Sequence, residues 1–194
     1  VDMEIERCWM HYLKAEQLME QGHWPEAQRL YNDVLISLPH HIQDAAYQSD
    51  IKPCQFACLL AGLRDASVAQ SEILNRLGQQ QQAFDTLNQS YALMQFISLE
   101  STELIQRTFG LLEKQSEDLL NHLIAFCSAQ RSSHWMLELE QIQRAHHHFG
   151  QLKTTSEVQS SPNVLNPSIS ILVIIEKSAH YMTAPDVLER SARY

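Results

Sequence analysis

Three consecutive histidines, His146 to His148, are the most obvious candidates for metal-binding chemistry in this 194-residue chain. Together with His134 they would supply imidazoles, which are common ligands of zinc and other transition metals. Adjacent residues on a helix point about 100° apart, so these three cannot converge on one ion without local unwinding. We therefore expect a solvated helix end that carries histidines near its negative pole, and we predict no metal and no cofactor.

Two cysteines, Cys54 and Cys58, are spaced so that they share one helix face, as metal ligands or a redox pair would. Their neighbours in CQFACLLAGL are apolar, which favours burial of both side chains over reactivity. The other cysteines, Cys8 and Cys127, also lie in helical patterns and form no disulfide framework. We expect four free, reduced thiols in the core.

Pairs of carboxylates do not form an obvious acid and base couple. Glu138 and Glu140 project from different helix faces, and Glu117 and Asp118 are adjacent in the chain. The sequence contains no glycine-rich elbow and no phosphate-binding loop. A site assembled through space from distant residues stays open as an alternative. We predict no catalytic residues and do not expect an enzyme.

The overall charge excludes one class of partner. The chain has a formal net charge of −9, and no cluster of lysine and arginine compensates locally, so we expect no nucleic acid. No apolar run approaches the length of a membrane span. The first residues, VDMEIERCWMHYLKAEQ, are acidic and amphipathic, unlike a secretory signal. We expect a cytoplasmic protein, and a signal that had been removed would leave no trace.

Two stretches of the sequence predict helical hairpins. In AEQLMEQGHWPEAQRLYNDVLISLP, apolar residues recur at helical spacing on both sides of Gly22, which ends one helix, and Pro25, which opens the next. In SVAQSEILNRLGQQQQAFDTLNQSYALMQ the same pattern surrounds Gly78. So short a connection makes the helices antiparallel. We predict burial of the residues that face the partner helix: Ala15, Ala27, Tyr31, Leu74, Ala83 and Leu87.

The spacing around both glycines resembles the tetratricopeptide repeat (TPR), a helix pair of about 34 residues. The first copy covers about residues 8–41, and its pattern falls on His11, Lys14, Ala15, Leu18, Ala27, Tyr31 and Pro39. The second covers about residues 64–97, with Ser71, Leu74, Gly78, Ala83, Leu87 and Ser90 at the equivalent places. His11, Lys14 and Gln95 depart from the usual residues. The resemblance implies an all-α fold of TPR-like hairpins stacked as a short right-handed superhelix, an α-α solenoid.

In the repeat family the first helix of each pair lines a concave groove. Carried over residue by residue, the resemblance implies a partner-binding groove, for which a solvated or core helix residue is the alternative at every position. Because the set is mixed apolar and acidic, it would complement a segment with apolar anchors and basic flanks. The groove residues are Trp9, Tyr12, Glu16, Met19 and Glu20 in the first copy, and Asp65, Val68, Glu72, Asn75 and Arg76 in the second.

The rest of the chain completes the predicted organisation. We assign residues 1–150 to the TPR-like helical domain, with helix breaks at Pro39 to His41 and near Pro53. A helix or helix pair follows a cap at Ser101 or Thr102, and another helix runs from Ser133 to near Gly150. Residues 151–168 are predicted to be a polar linker or loop. Residues 169–194 form a C-terminal segment whose apolar part, Ile169 to Ile175, is either helix or strand and packs on the helices or on a second chain.

These observations favour a protein-protein interaction module, an adaptor, chaperone-like or regulatory protein that binds a peptide or helix of a partner. One alternative within this class is an export chaperone that resembles those of bacterial secretion systems. From a different class, a self-assembling structural protein would dimerise through Ile169 to Ile175. The sequence names neither the partner nor the oligomeric state.

Overall fold

The fold is known from a computed structural model that describes residues 3–158, with side chains from residue 4 to residue 154. The predicted all-α class is confirmed for this part of the chain, which contains six helices and no strand. None of these helices is apolar over a stretch long enough to cross a membrane. The helices are α1 (Met3–Glu20), α2 (Trp24–Tyr47), α3 (Pro53–Arg76), α4 (Gln80–Ile97), α5 (Glu103–Ala129) and α6 (Ser133–Val158).

Both predicted glycine turns are present, and they have the same geometry. Gly22 and Gly78 each adopt a φ of +78°, in the left-handed region that disfavours other residues. After Gly22, the backbone N–H of His23 donates to the carbonyl of Leu18 at 2.8 Å. After Gly78, the N–H of Gln79 donates to Leu74 at 2.8 Å. These bonds satisfy carbonyls at the end of each helix and turn the chain back as a Schellman motif.

The residues predicted to face the partner helix are buried. Ala15 and Ala27 have no exposed surface, so the backbones of α1 and α2 approach closely there. Across the second hairpin, the hydroxyls of Ser67 and Ser90 lie 2.7 Å apart in the core. Burial is thus confirmed for the whole predicted set: Ala15, Ala27, Tyr31, Leu74, Ala83 and Leu87.

The sequence between the two hairpins lengthens their helices instead of forming an inserted element. The predicted break at Pro39 to His41 is wrong, because α2 continues through it to Tyr47. A proline inside a helix costs a hydrogen bond, but Leu38, Ile42 and Ala45 continue the buried face of α2 past this point. The predicted break before Pro53 is confirmed, since Pro53 opens α3 at a position where its missing N–H has no intrahelical partner.

The last two helices form a third hairpin. The cap of α5 is Thr102, whose hydroxyl accepts a hydrogen bond from the N–H of Ile105 at 3.3 Å, and a single helix follows. Helix α6 returns along α5: Trp135 contacts Phe126 with ring centroids 5.2 Å apart, and Lys153 donates to Glu113 at 2.8 Å. Contacts near both ends show that the two helices are antiparallel.

Helix α6 extends further than the sequence predicts. It passes through Gly150 to Val158, so the predicted end near Gly150 is wrong and residues 151–158 belong to the helix, not to the predicted linker. The histidine run therefore lies inside the helix and not at its end. The predicted apolar segment from Ile169 to Ile175 lies outside the described residues.

Candidate functional site: a cleft lined by α1, α3 and α5

The first helices of the three hairpins line one open cleft with a volume of about 660 Å³. Helix α1 contributes Met19, which lies in its last turn, just before the Gly22 turn. The other lining residues come from two separate helices: Arg64, Asp65, Val68, Ala69 and Glu72 on α3, and Asp118, Asn121, His122 and Ala125 on α5. On each helix the spacing places these residues along one face.

An ion-pair network joins two of these helices across the cleft. Arg64 donates from Nε and Nη2 to Oδ1 of Asp65, at 2.8 and 2.7 Å. Its Nη1 donates to Oδ2 of Asp118 on α5, at 3.2 Å. Burial lowers the pKa of Arg64, but the hydrogen bonds and charges of the two carboxylates outweigh it and raise that pKa. Arg64 therefore stays charged and forms hydrogen bonds with carboxylates of both α3 and α5.

The predicted groove residues of α1 near its middle form an aromatic cluster. The rings of Trp9 and Tyr12 meet edge to face with centroids 5.7 Å apart, and Tyr12 contacts Tyr31 of α2 at 6.3 Å. Trp9 and Tyr12 are half-buried, and the Tyr12 hydroxyl donates to Oε1 of Glu16 at 2.9 Å. Burial raises the pKa of Tyr12, and the negative charges of Glu16 and Asp65 add to the effect. Carboxylates of both α1 and α3 thus act on the Tyr12 hydroxyl.

The predicted groove residues at the end of α3 make contacts with other hairpins. Arg76 pairs with Glu72 one turn earlier, and its guanidinium lies over the Trp24 ring, 4.5 Å from the centroid. The amide of Gln130, which follows α5, donates to Oδ1 of Asn75 at 3.3 Å. Arg76 and Asn75 therefore link the second hairpin to the first and the third at the rim, outside the lining of the cleft.

The predicted groove residues thus have different locations. Met19, Asp65, Val68 and Glu72 line the cleft. Trp9 and Tyr12 pack between helices, Glu16 and Glu20 are exposed on α1, and Asn75 and Arg76 lie at the rim.

The lining contributed by α5 was not predicted from the sequence, because α5 shows no repeat-specific residues. Its four cleft residues recur from Asp118 to Ala125 at helical spacing, beside the face that carries most of the buried leucines. Arg64 was not predicted either, although it lies one turn before Val68 and so shares a face with a predicted groove position. The lining contains apolar, charged and amide groups and the imidazole of His122, and no side-chain hydroxyl or thiol.

The four cysteines, His134 and the histidine run from His146 to His148 do not line the cleft. All four thiols are free, and Cys8 and Cys127 are buried, but the predicted burial of Cys54 and Cys58 is wrong, because both are exposed on the first turns of α3. In the histidine run, Nδ1 of His146 lies 2.7 Å from the hydroxyl of the buried Tyr91 on α4. Within the described residues, no cluster of three or more metal-ligating side chains is present.

No protein-family model, curated protein or solved structure matches the chain. The resemblance to the tetratricopeptide repeat consequently depends on the residues of this chain alone.

Proposed function

We propose that this chain is a helical-repeat protein that holds a peptide or helix of a partner protein in the cleft lined by α1, α3 and α5. In this proposal the three hairpins are successive TPR-like pairs, stacked as a short right-handed superhelix. The hairpin of α5 and α6 is a third pair whose repeat positions have diverged in sequence. The protein acts as an adaptor, chaperone-like or regulatory module and performs no turnover.

The observation that carries the proposal is the position of the groove residues that the resemblance implies. Met19 on α1 and Asp65 and Val68 on α3 come from different copies of the pattern, yet they line the same cleft. Its apolar side chains offer contact area for the apolar face of a peptide, and its carboxylates and amide offer hydrogen bonds that fix register. This combination suits recognition of a protein segment.

A matched pair of substitutions on α5 tests the proposal. Ala125 is exposed and lines the cleft, whereas Ala129, one turn later, is exposed and does not line it. Ala125→Trp fills the cleft, and Ala129→Trp adds the same bulk outside it. The intact chain and both variants are used to capture proteins from an extract of the source organism, followed by mass spectrometry. We expect the retained partner to be lost only with Ala125→Trp, provided that circular dichroism shows both variants folded.

Equal retention by the wild-type chain and both variants would contradict a partner site in this cleft.

A further inference from the structure

The cleft contains more carboxylates than cations. Asp65, Glu72 and Asp118 line it, against the single guanidinium of Arg64. Glu72 is paired with Arg76 on the same helix, so its charge is balanced from the rim. Next to the cleft, α1 adds the exposed carboxylates of Glu16 and Glu20, which together with Asp65 help to raise the pKa of Tyr31. The local field on the α1 and α3 side is therefore negative.

Arg64 occupies the position in which this field would hold a cation from outside. Its guanidinium bridges Asp65 and Asp118, as the arginine of a bound segment would. The bridge is open to solvent: the side chain of Arg64 is 27% exposed, that of Asp65 44% and that of Asp118 39%. Ion pairs at this degree of exposure contribute little to stability, so they exchange without opening the core.

Apolar lining lies beside the bridge. Val68 and Ala69 on α3 and Met19 on α1 are partly buried, and Ala125 on α5 is exposed; all four line the cleft. A helix with leucines along one face and arginine or lysine beside them would cover these side chains and bring a cation to the carboxylates.

We propose that the cleft binds a basic amphipathic segment of a partner protein, and that Arg64 is an internal competitor that the partner's arginine or lysine displaces from Asp118. This inference depends on the proposed function and adds the chemistry of the partner to it. Removal of the Arg64 side chain should therefore strengthen the binding of a basic segment.

The test uses synthetic helical peptides of about 20 residues with a leucine stripe and either arginine or glutamine at the flanking positions. Their affinities for the intact chain are measured by fluorescence anisotropy at low and at physiological salt. We expect Arg64→Met to bind the arginine peptide about twofold to fivefold more tightly than wild type, in keeping with the strength of an exposed ion pair. Asp118→Asn should bind it more weakly by a similar factor, and Ala125→Trp should not bind it.

The matched control is Arg144→Met, which changes the net charge equally but lies on α6, where Arg144 pairs with Glu140 and does not line the cleft. It should leave the affinity nearly unchanged. Arg64→Lys keeps the charge but loses the fork that spans two carboxylates, so it should fall between wild type and Arg64→Met.

Three results would overturn the inference: unchanged or weaker binding of the arginine peptide by Arg64→Met, an equal gain in Arg144→Met, or equal affinity for the arginine and glutamine peptides. Each of these leaves the proposed function standing, because the capture experiment with Ala125→Trp and Ala129→Trp does not depend on the charge of the partner. Equal capture of the partner by wild type, Ala125→Trp and Ala129→Trp in that experiment would refute the site itself.

Discussion

The indole of Trp9 on α1 packs directly against Gly62 on α3. A Cβ atom at residue 62 would lie 2.6 Å from Cη2 and 2.8 Å from Cζ3 of that indole, closer than real Cβ contacts come. Gly62 is buried inside a helix, where glycine is intrinsically unfavourable. The close approach explains its presence: the absent side chain leaves room for Trp9 and fixes the first hairpin against the second.

We expect Gly62→Ala to destabilise the protein by about 1–3 kcal/mol, because overpacking displaces the Trp9 ring. Gly110→Ala on α5 is the control, since a Cβ there meets nothing within 4 Å. It should stabilise the protein by up to about 1 kcal/mol through helix propensity alone. Urea unfolding measures both values. In a Trp9→Leu background the cost of Gly62→Ala should fall markedly, and an unchanged cost would show that Trp9 is not the cause.

Thiol reactivity should divide the four cysteines into two classes. Cys54 and Cys58 are exposed, whereas burial raises the pKa of Cys8 and raises that of Cys127 to about 11. The buried thiols are therefore protonated and shielded at neutral and mildly alkaline pH. We expect Ellman's reagent at pH 8 to titrate two thiols per chain rapidly and the other two only after unfolding in denaturant.

A double variant, Cys54→Ser with Cys58→Ser, should abolish the rapid phase while leaving the slow one. A rapid phase that survives in this variant would place Cys8 or Cys127 at the surface, against the described packing.

Stability should fall at alkaline pH because of buried tyrosines. Burial raises the pKa of Tyr31 to about 12, with contributions from nearby carboxylates, and burial also raises the pKa of Tyr91. A tyrosine in the unfolded chain ionises near pH 10. The stabilising contribution is thus fully present below pH 10, and it is lost as the pH rises from there through the folded-state pKa. The loss for Tyr31 should be on the order of 1–3 kcal/mol by pH 12.

Urea unfolding at pH 8, 10, 11 and 12 measures this loss. Tyr31→Phe should reduce the alkaline loss of stability. Tyr47→Phe should remove less of it, because Tyr47 is exposed and its pKa is raised mainly by a hydrogen bond with Glu100 that solvent weakens. If both variants keep the full pH dependence, ionisation of Tyr31 does not account for it.

The sequence by itself determined the helices and the two glycine turns, because these depend on interactions between near neighbours. Gly22 and Gly78 tolerate a φ of +78°, and the residues around them recur at helical spacing, so each hairpin and its buried face follow locally. The ends of the helices were less predictable. Pro39 and Gly150 are usual places for a helix to end, but α2 and α6 pass through them. For α2 the buried face continues beyond Pro39, and such tertiary packing overrides local preference.

Only the tertiary structure decided which polar residues meet. Arg64 and Asp118 lie far apart in the chain, and their contact depends on how α3 and α5 are rotated and spaced, which local patterns do not specify. The same holds for Tyr91 and His146, which join α4 to α6. Exposure of Cys54 and Cys58 is equally a matter of which side of α3 is covered by other helices, since an apolar neighbourhood in sequence does not fix the face that a residue occupies.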